Sequence, residues 1–130
     1  KIEGFRWFQY IILKRQWGMF RAETVINAAL MLAIYSEYRQ IFLMGTEADW
    51  IKNLRVDKDN HLWLNDTHFY KENERVILPD KMHNQCLSLY YAFRTYTDIE
   101  HYSKHCKVKI YNLTPSSFID AFEKTPLLKQ

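Results

Sequence analysis

The sequence predicts an α/β fold, the C-terminal part of a Rossmann-like parallel sheet carrying a β-hairpin insertion. Three observations predict it. Two short apolar runs of β-rich character, residues 41–44 and 108–111, flank the longest helical pattern in the chain, and parallel strands need such a crossover. Between the first run and that helix lies a segment that alternates on both sides of a polar tetrad. Finally, 130 residues, 48% hydrophobic and 16% aromatic, suffice for one core burying roughly two-thirds of the unfolded surface.

Residues 1–16 (KIEGFRWFQYIILKRQ) are apolar without a clean period and fit helix or strand equally. Residues 21–39 read as a helix buried on most sides: Val25, Ile26, Ala28 to Ile34 are apolar, and Ser36, Glu37, Arg39 and Gln40 gather where it emerges. Residues 41–44 (IFLM) are short, wholly apolar and bounded by Gly45, the pattern of an interior parallel strand. Residues 53–65 form the hairpin, with Asp57-Lys58-Asp59-Asn60 as its turn. Pro79 and Asp80 open a helix over residues 81–105, with Asp80 as N-cap. After the strand at 108–111, Thr114 as N-cap and Pro115 at the first helical position predict a short helix over 116–123.

These elements make a single domain, residues 1–130, with 53–65 inserted. Two parallel strands alone leave faces and edges uncovered. Either residues 1–16 hide a strand, or the chain belongs to a larger Rossmann-like domain, and the second is the expectation.

Composition excludes several functions. A charge of +3 is too low for a dedicated nucleic-acid binder. Gly4, Gly18 and Gly45 lie too far apart for a phosphate-cradling glycine loop, and no apolar run approaches the ~20 residues of a membrane span. Cys86 and Cys106, twenty residues apart along the long helix, are separated by roughly 30 Å and cannot pair, which suits a reduced, cytoplasmic setting. The basic-aromatic segment of residues 1–21 would suit a peripheral membrane contact, although such segments more often pack on their own domain.

In open α/β sheets ligands bind beyond the carboxyl ends of the strands. Two loops qualify. The first holds Gly45, Thr46, Glu47, Asp49 and Trp50: a permissive backbone, two carboxylates and an aromatic face for stacking. The second holds Asn112, Thr114, Ser116 and Ser117, where a helix start would present N–H groups and hydroxyls to an anion. Each has an ordinary alternative, a solvated loop and a helix cap. His83 falls in the first turn of the long helix, where the positive helix end favours the neutral imidazole a general base requires. His68 lies in a polar-aromatic stretch that could close over a pocket. His101, His105 and Cys106 lack a third ligand spacing, so no metal site is expected.

Residues 24–45 (TVINAALMLAIYSEYRQIFLMG), the histidine-bearing segment and residues 108–122 (VKIYNLTPSSFIDAF) together resemble the C-terminal half of bacterial lipooligosaccharide sialyltransferases, glycosyltransferase family 42. They are similar also to related pterin-diphosphokinase-like proteins of polysaccharide gene clusters. The resemblance spans about 100 residues and is built on motifs that recur in many Rossmann-like folds. It implies transfer of a sialic-acid-like sugar from a nucleotide-sugar donor, CMP-linked in the family, to a glycan or lipid-linked acceptor, with no further cofactor. His83 is the better positional match for the general base and His68 the second; Glu47 corresponds to the acidic residue after the strand glycine. The loop here reads Glu47-Ala48-Asp49-Trp50 where the sialyltransferases carry donor-contacting tyrosines, and Thr24 stands where a serine is expected. The alternatives are a diphosphokinase relative holding Mg²⁺ on Glu47 and Asp49, and a non-catalytic nucleotide- or glycan-binding module. Self-association into a homo-oligomer is compatible with each.

Overall fold

The computed structural model describes residues 5–66 and 74–125. Residues 67–73, and with them His68, lie outside the described residues. The element order is α1 (Arg6–Lys14), α2 (Val25–Tyr35), β1 (Gln40–Leu43), a 3-10 turn (Trp50–Asn53), β2 (Leu54–Val56), β3 (Leu62–Asp66), β4 (Glu74–Leu78), α3 (Met82–His105), β5 (Lys109–Asn112) and β6 (Glu123–Lys124).

Two three-stranded sheets result, a parallel one in the order β1-β5-β6 and an antiparallel one in the order β2-β3-β4. β1 and β5 run parallel in the register Ile41↔Ile110 and Leu43↔Asn112, so both strands point their carboxyl ends the same way. Because side chains alternate along a strand, Ile41, Leu43, Ile110 and Asn112 share the inner face. That face joins Leu30, Met31 and Ile34 of α2, Tyr96, Ile99 and Tyr102 of α3, and Leu13 of α1 in one core. On the outer face Phe42 stacks on Tyr111 with ring centroids 5.4 Å apart, and Phe42 is 54% exposed.

The expected interior position for residues 41–44 is therefore corrected: β1 is the edge of the described sheet and β5 its centre. Its apolar run serves two masters, core contact for Ile41 and Leu43 and aromatic stacking for Phe42. Residues 1–16 supply a helix over their described part, and no strand. α2 begins at a capping box in which Asn27 N–H donates to Thr24 Oγ1 and Thr24 N–H to Asn27 Oδ1.

The hairpin forms in the expected register, Leu54↔Leu64 and Val56↔Leu62, but continues into β4, so the insertion is a three-stranded meander. Its turn is organised by Asp57, whose carboxylate accepts from the backbone N–H of Asp59 and His61 and from the Trp63 indole at 2.6 Å. These three donors, the indole foremost, hold the Asp57 carboxyl below its ordinary range. The N-cap of α3 is Lys81, not Asp80. Asp80 stands one residue earlier, where its carboxylate accepts from the Asn84 side chain and the Lys81 N–H.

The expected helix over 116–123 does not form. Residues 113–122 make an irregular loop leading to β6, because donors and acceptors a helix would use are engaged across the chain, as described below. Among the described residues no helix is long and apolar enough to cross a membrane, and Cys86 and Cys106 are both free.

Candidate functional site

The loops leaving β1 and β5 are sewn to each other. Thr46 N–H donates to Thr114 Oγ1 at 3.1 Å, the Ser117 hydroxyl donates to the Thr46 carbonyl, and Phe118 N–H donates to the Glu47 carbonyl at 2.7 Å. Within the second loop, Asn112 donates from Nδ2 to the Ile119 carbonyl and accepts the Thr114 N–H at Oδ1, while Ser117 Oγ accepts from Ile119 N–H. Asn112, Thr114 and Ser117 are all buried. The exits of the parallel pair thus meet as one structural unit, as the sequence reading requires.

The same bonds change the role of the second loop. Asn112, Thr114 and Ser117 spend their polar groups on backbone, and Ser116 is exposed on a turn, so the expected anion site at a helix start is withdrawn: there is no helix start there. In the first loop Gly45 has φ +66°, and a side chain would meet nothing within 4 Å. Its need for glycine is therefore the left-handed turn and not close approach. Ala48 also takes φ 53° while buried in the core, a conformation that costs a non-glycine residue about 1–2 kcal/mol. Asp49 pairs with Lys52 at 3.2 Å. Thr46 Oγ1 is buried without a hydrogen-bond partner among the described residues.

A cavity of about 300 Å³ opens at Trp50, just past the first loop. Trp50, Leu54, Leu64, Leu78, Leu89 and Ala92 give it apolar walls; Glu23, Thr24, Gln85 and Ser88 give it a polar side. The Thr24 and Tyr96 hydroxyls share a hydrogen bond at 3.1 Å, and burial raises the pKa of Tyr96, keeping its hydroxyl neutral. Small-ligand sites have this character, mostly apolar with a few directed polar groups. Of the sequence-nominated residues among those described, only Trp50 lines it. His83 is exposed on the first turn of α3 and is absent from the lining.

Sequence reasoning missed the polar side. Gln85 and Ser88 are three apart on α3 and so share a face, a spacing visible in the sequence once the helix is drawn. Glu23 and Thr24 could have been found from the Thr24-x-x-Asn27 cap. A group of three potential metal ligands, Asp57, Asp59 and His61, lies on the exposed hairpin turn; the Asp57 carboxylate there is already engaged by three N–H donors.

Comparison with protein-family models, with curated proteins and with solved structures finds no match to this chain.

Proposed function

We propose that the chain is part of a Rossmann-like, glycosyltransferase-like protein of surface-polysaccharide or lipooligosaccharide assembly. In this reading it binds a nucleotide-sugar at the cavity beside the β1 and β5 exits and passes a sialic-acid-like sugar to a glycan acceptor. The observation that carries the reading is the placement of Trp50, which follows the β1 exit loop, and the polar set Glu23, Thr24, Gln85 and Ser88 around one cavity. The Trp50 indole offers a stacking face for a base, and Glu23 and Gln85 offer partners for sugar hydroxyls. The resemblance proposes His83 or His68 as the general base; His83 stands exposed outside the cavity lining, and His68 lies outside the described residues. Removing the true base lowers turnover roughly 10²–10⁴-fold, and wild-type turnover in both His83→Ala and His68→Ala refutes that assignment.

A second reading, a non-catalytic binding module, is favoured by one observation: the buried Asn112, Thr114 and Ser117 are committed to holding loops together. A thermal-shift panel of nucleoside monophosphates and ATP analogues, with and without Mg²⁺, tests nucleotide binding itself. A ligand at a hundredfold its dissociation constant stabilises the fold by about 2.7 kcal/mol, and Trp50→Ala should abolish the shift. No shift with any nucleotide at millimolar concentration refutes the nucleotide-sugar reading; a Mg²⁺-dependent shift with ATP analogues alone points to the diphosphokinase relationship.

A further inference from the structure

Helix α1 is anchored from one side and bare on the other. Leu13 is fully buried and Tyr10 packs on Tyr102 and His105, with ring centroids 5.3 and 4.7 Å away. On the opposite side Trp7 and Ile11, four apart, and Phe8 and Ile11, three apart, form one outward stripe. Trp7 is 66% exposed, Phe8 47% and Ile11 45%, and Phe5 and Trp17 extend the apolar surface past either end at 78% and 70%. The expectation that this segment's aromatics pack on the domain therefore holds for Tyr10 and Phe20 and fails for Phe5, Trp7, Phe8 and Trp17.

Charge says what covers the stripe. Residues 5–20 contain Arg6, Lys14 and Arg15 and no carboxylate, while Arg21 is paired with Glu23. Lys14 and Arg15 follow Ile11 by three and four residues, at the carboxyl end of the apolar stripe, and the Arg15 guanidinium lies over the Trp17 ring at 4.8 Å. Lys14 shares a surface depression with Arg39 and His105, and with Glu37 as its one carboxylate. Arg39 is joined backbone to backbone with the exposed Lys109. A nine-residue helix is about 13 Å long, far too short to span a bilayer. Aromatic rings between cations are suited to the interfacial zone, the rings at the acyl boundary and the cations on lipid phosphates.

We infer that α1 is an in-plane anchor that docks this chain on an anionic lipid surface. The inference is independent of what the cavity binds. Flotation of the 130-residue chain with phosphatidylcholine vesicles, with and without about one-third phosphatidylglycerol, tests it. Binding to the anionic vesicles alone, with a blue shift of tryptophan emission and weakening at high salt, is the expected result. Lys14→Gln with Arg15→Gln should weaken binding about 25-fold, roughly fivefold per cation removed. Trp7→Ser with Ile11→Ser should weaken it at least about tenfold while the circular dichroism spectrum and cooperative melting of the fold persist, since neither residue belongs to the core. Absence of binding, equal binding to both vesicle types, or variants that bind like the parent overturn the inference. So does a parent chain that ignores vesicles but self-associates, with Trp7→Ser/Ile11→Ser converting it to a monomer in light scattering.

Discussion

Asn112→Ala is the most informative single change to the paired exits. Asn112 is 1% exposed and holds two backbone groups, the Ile119 carbonyl from Nδ2 at 3.2 Å and the Thr114 N–H from Oδ1 at 3.0 Å. Truncation leaves both without a partner in a buried loop. Each unsatisfied buried group costs about 1–3 kcal/mol, and water entering the loop recovers part of this, so a net loss of about 3 kcal/mol is expected. At roughly 3–6 °C per kcal/mol for a chain of this size, the melting temperature falls by about 10–18 °C. Thr114→Val, which removes only the acceptor for Thr46 N–H, should cost about 1 kcal/mol. Because the two residues belong to one network, the double variant should fall short of the sum. Thermal denaturation followed by circular dichroism measures all three. An Asn112→Ala chain that melts within about 2 °C of the parent, well inside the smallest loss expected, refutes the claim that this side chain ties the β5 exit together.

Burial raises the pKa of Tyr10, Tyr35, Tyr96 and Tyr102, and Tyr102 is raised further by its hydrogen bond with Cys106. A raised folded-state value means stability that is complete below the ordinary value of 10.0 and lost as pH climbs through the folded one. Tyrosinate absorbance should therefore show these four tyrosines ionising only with cooperative alkaline unfolding; independent ionisation of all nine near the ordinary value contradicts it. Asp57 has the opposite sign. Its carboxyl is held below 3.8, so its contribution to the hairpin is present above that pH and lost as pH falls through the lowered value. The Trp63 indole N–H resonance should report a midpoint below 3.8, and a midpoint at or above it removes the indole bond from the account.

Elements with strong local signals were legible in the sequence. The apolar block before Tyr35 could only be a buried helix, and the polar tetrad at Asp57 could only be a turn. The parallel pairing of β1 and β5 followed from chain geometry, since the long α3 separates them. What escaped depended on tertiary hydrogen bonds. Thr114-Pro115 reads locally as a helix start, but the Thr114 hydroxyl is taken by Thr46 of another segment and the Ser117 hydroxyl by its carbonyl, so the loop goes on to β6. β4 escaped because Val76 and Ile77 are both exposed and do not alternate with the core; the strand exists by pairing with β3. The candidate site was half legible for a similar reason. Trp50 follows the strand-end rule, whereas the other walls come from the meander and from α3, which meet only in three dimensions.

The account rests on the β1 and β5 exits defining the ligand site, and a nuclear magnetic resonance titration of the labelled chain with the best-binding nucleotide tests this most directly. The account predicts concerted shifts at the Gly45 amide, the Trp50 indole and the amides of Thr24, Gln85 and Ser88, with Phe42 and Trp7 unmoved. Shifts confined to the outer sheet face or to α1, with the Trp50 indole silent, would contradict it.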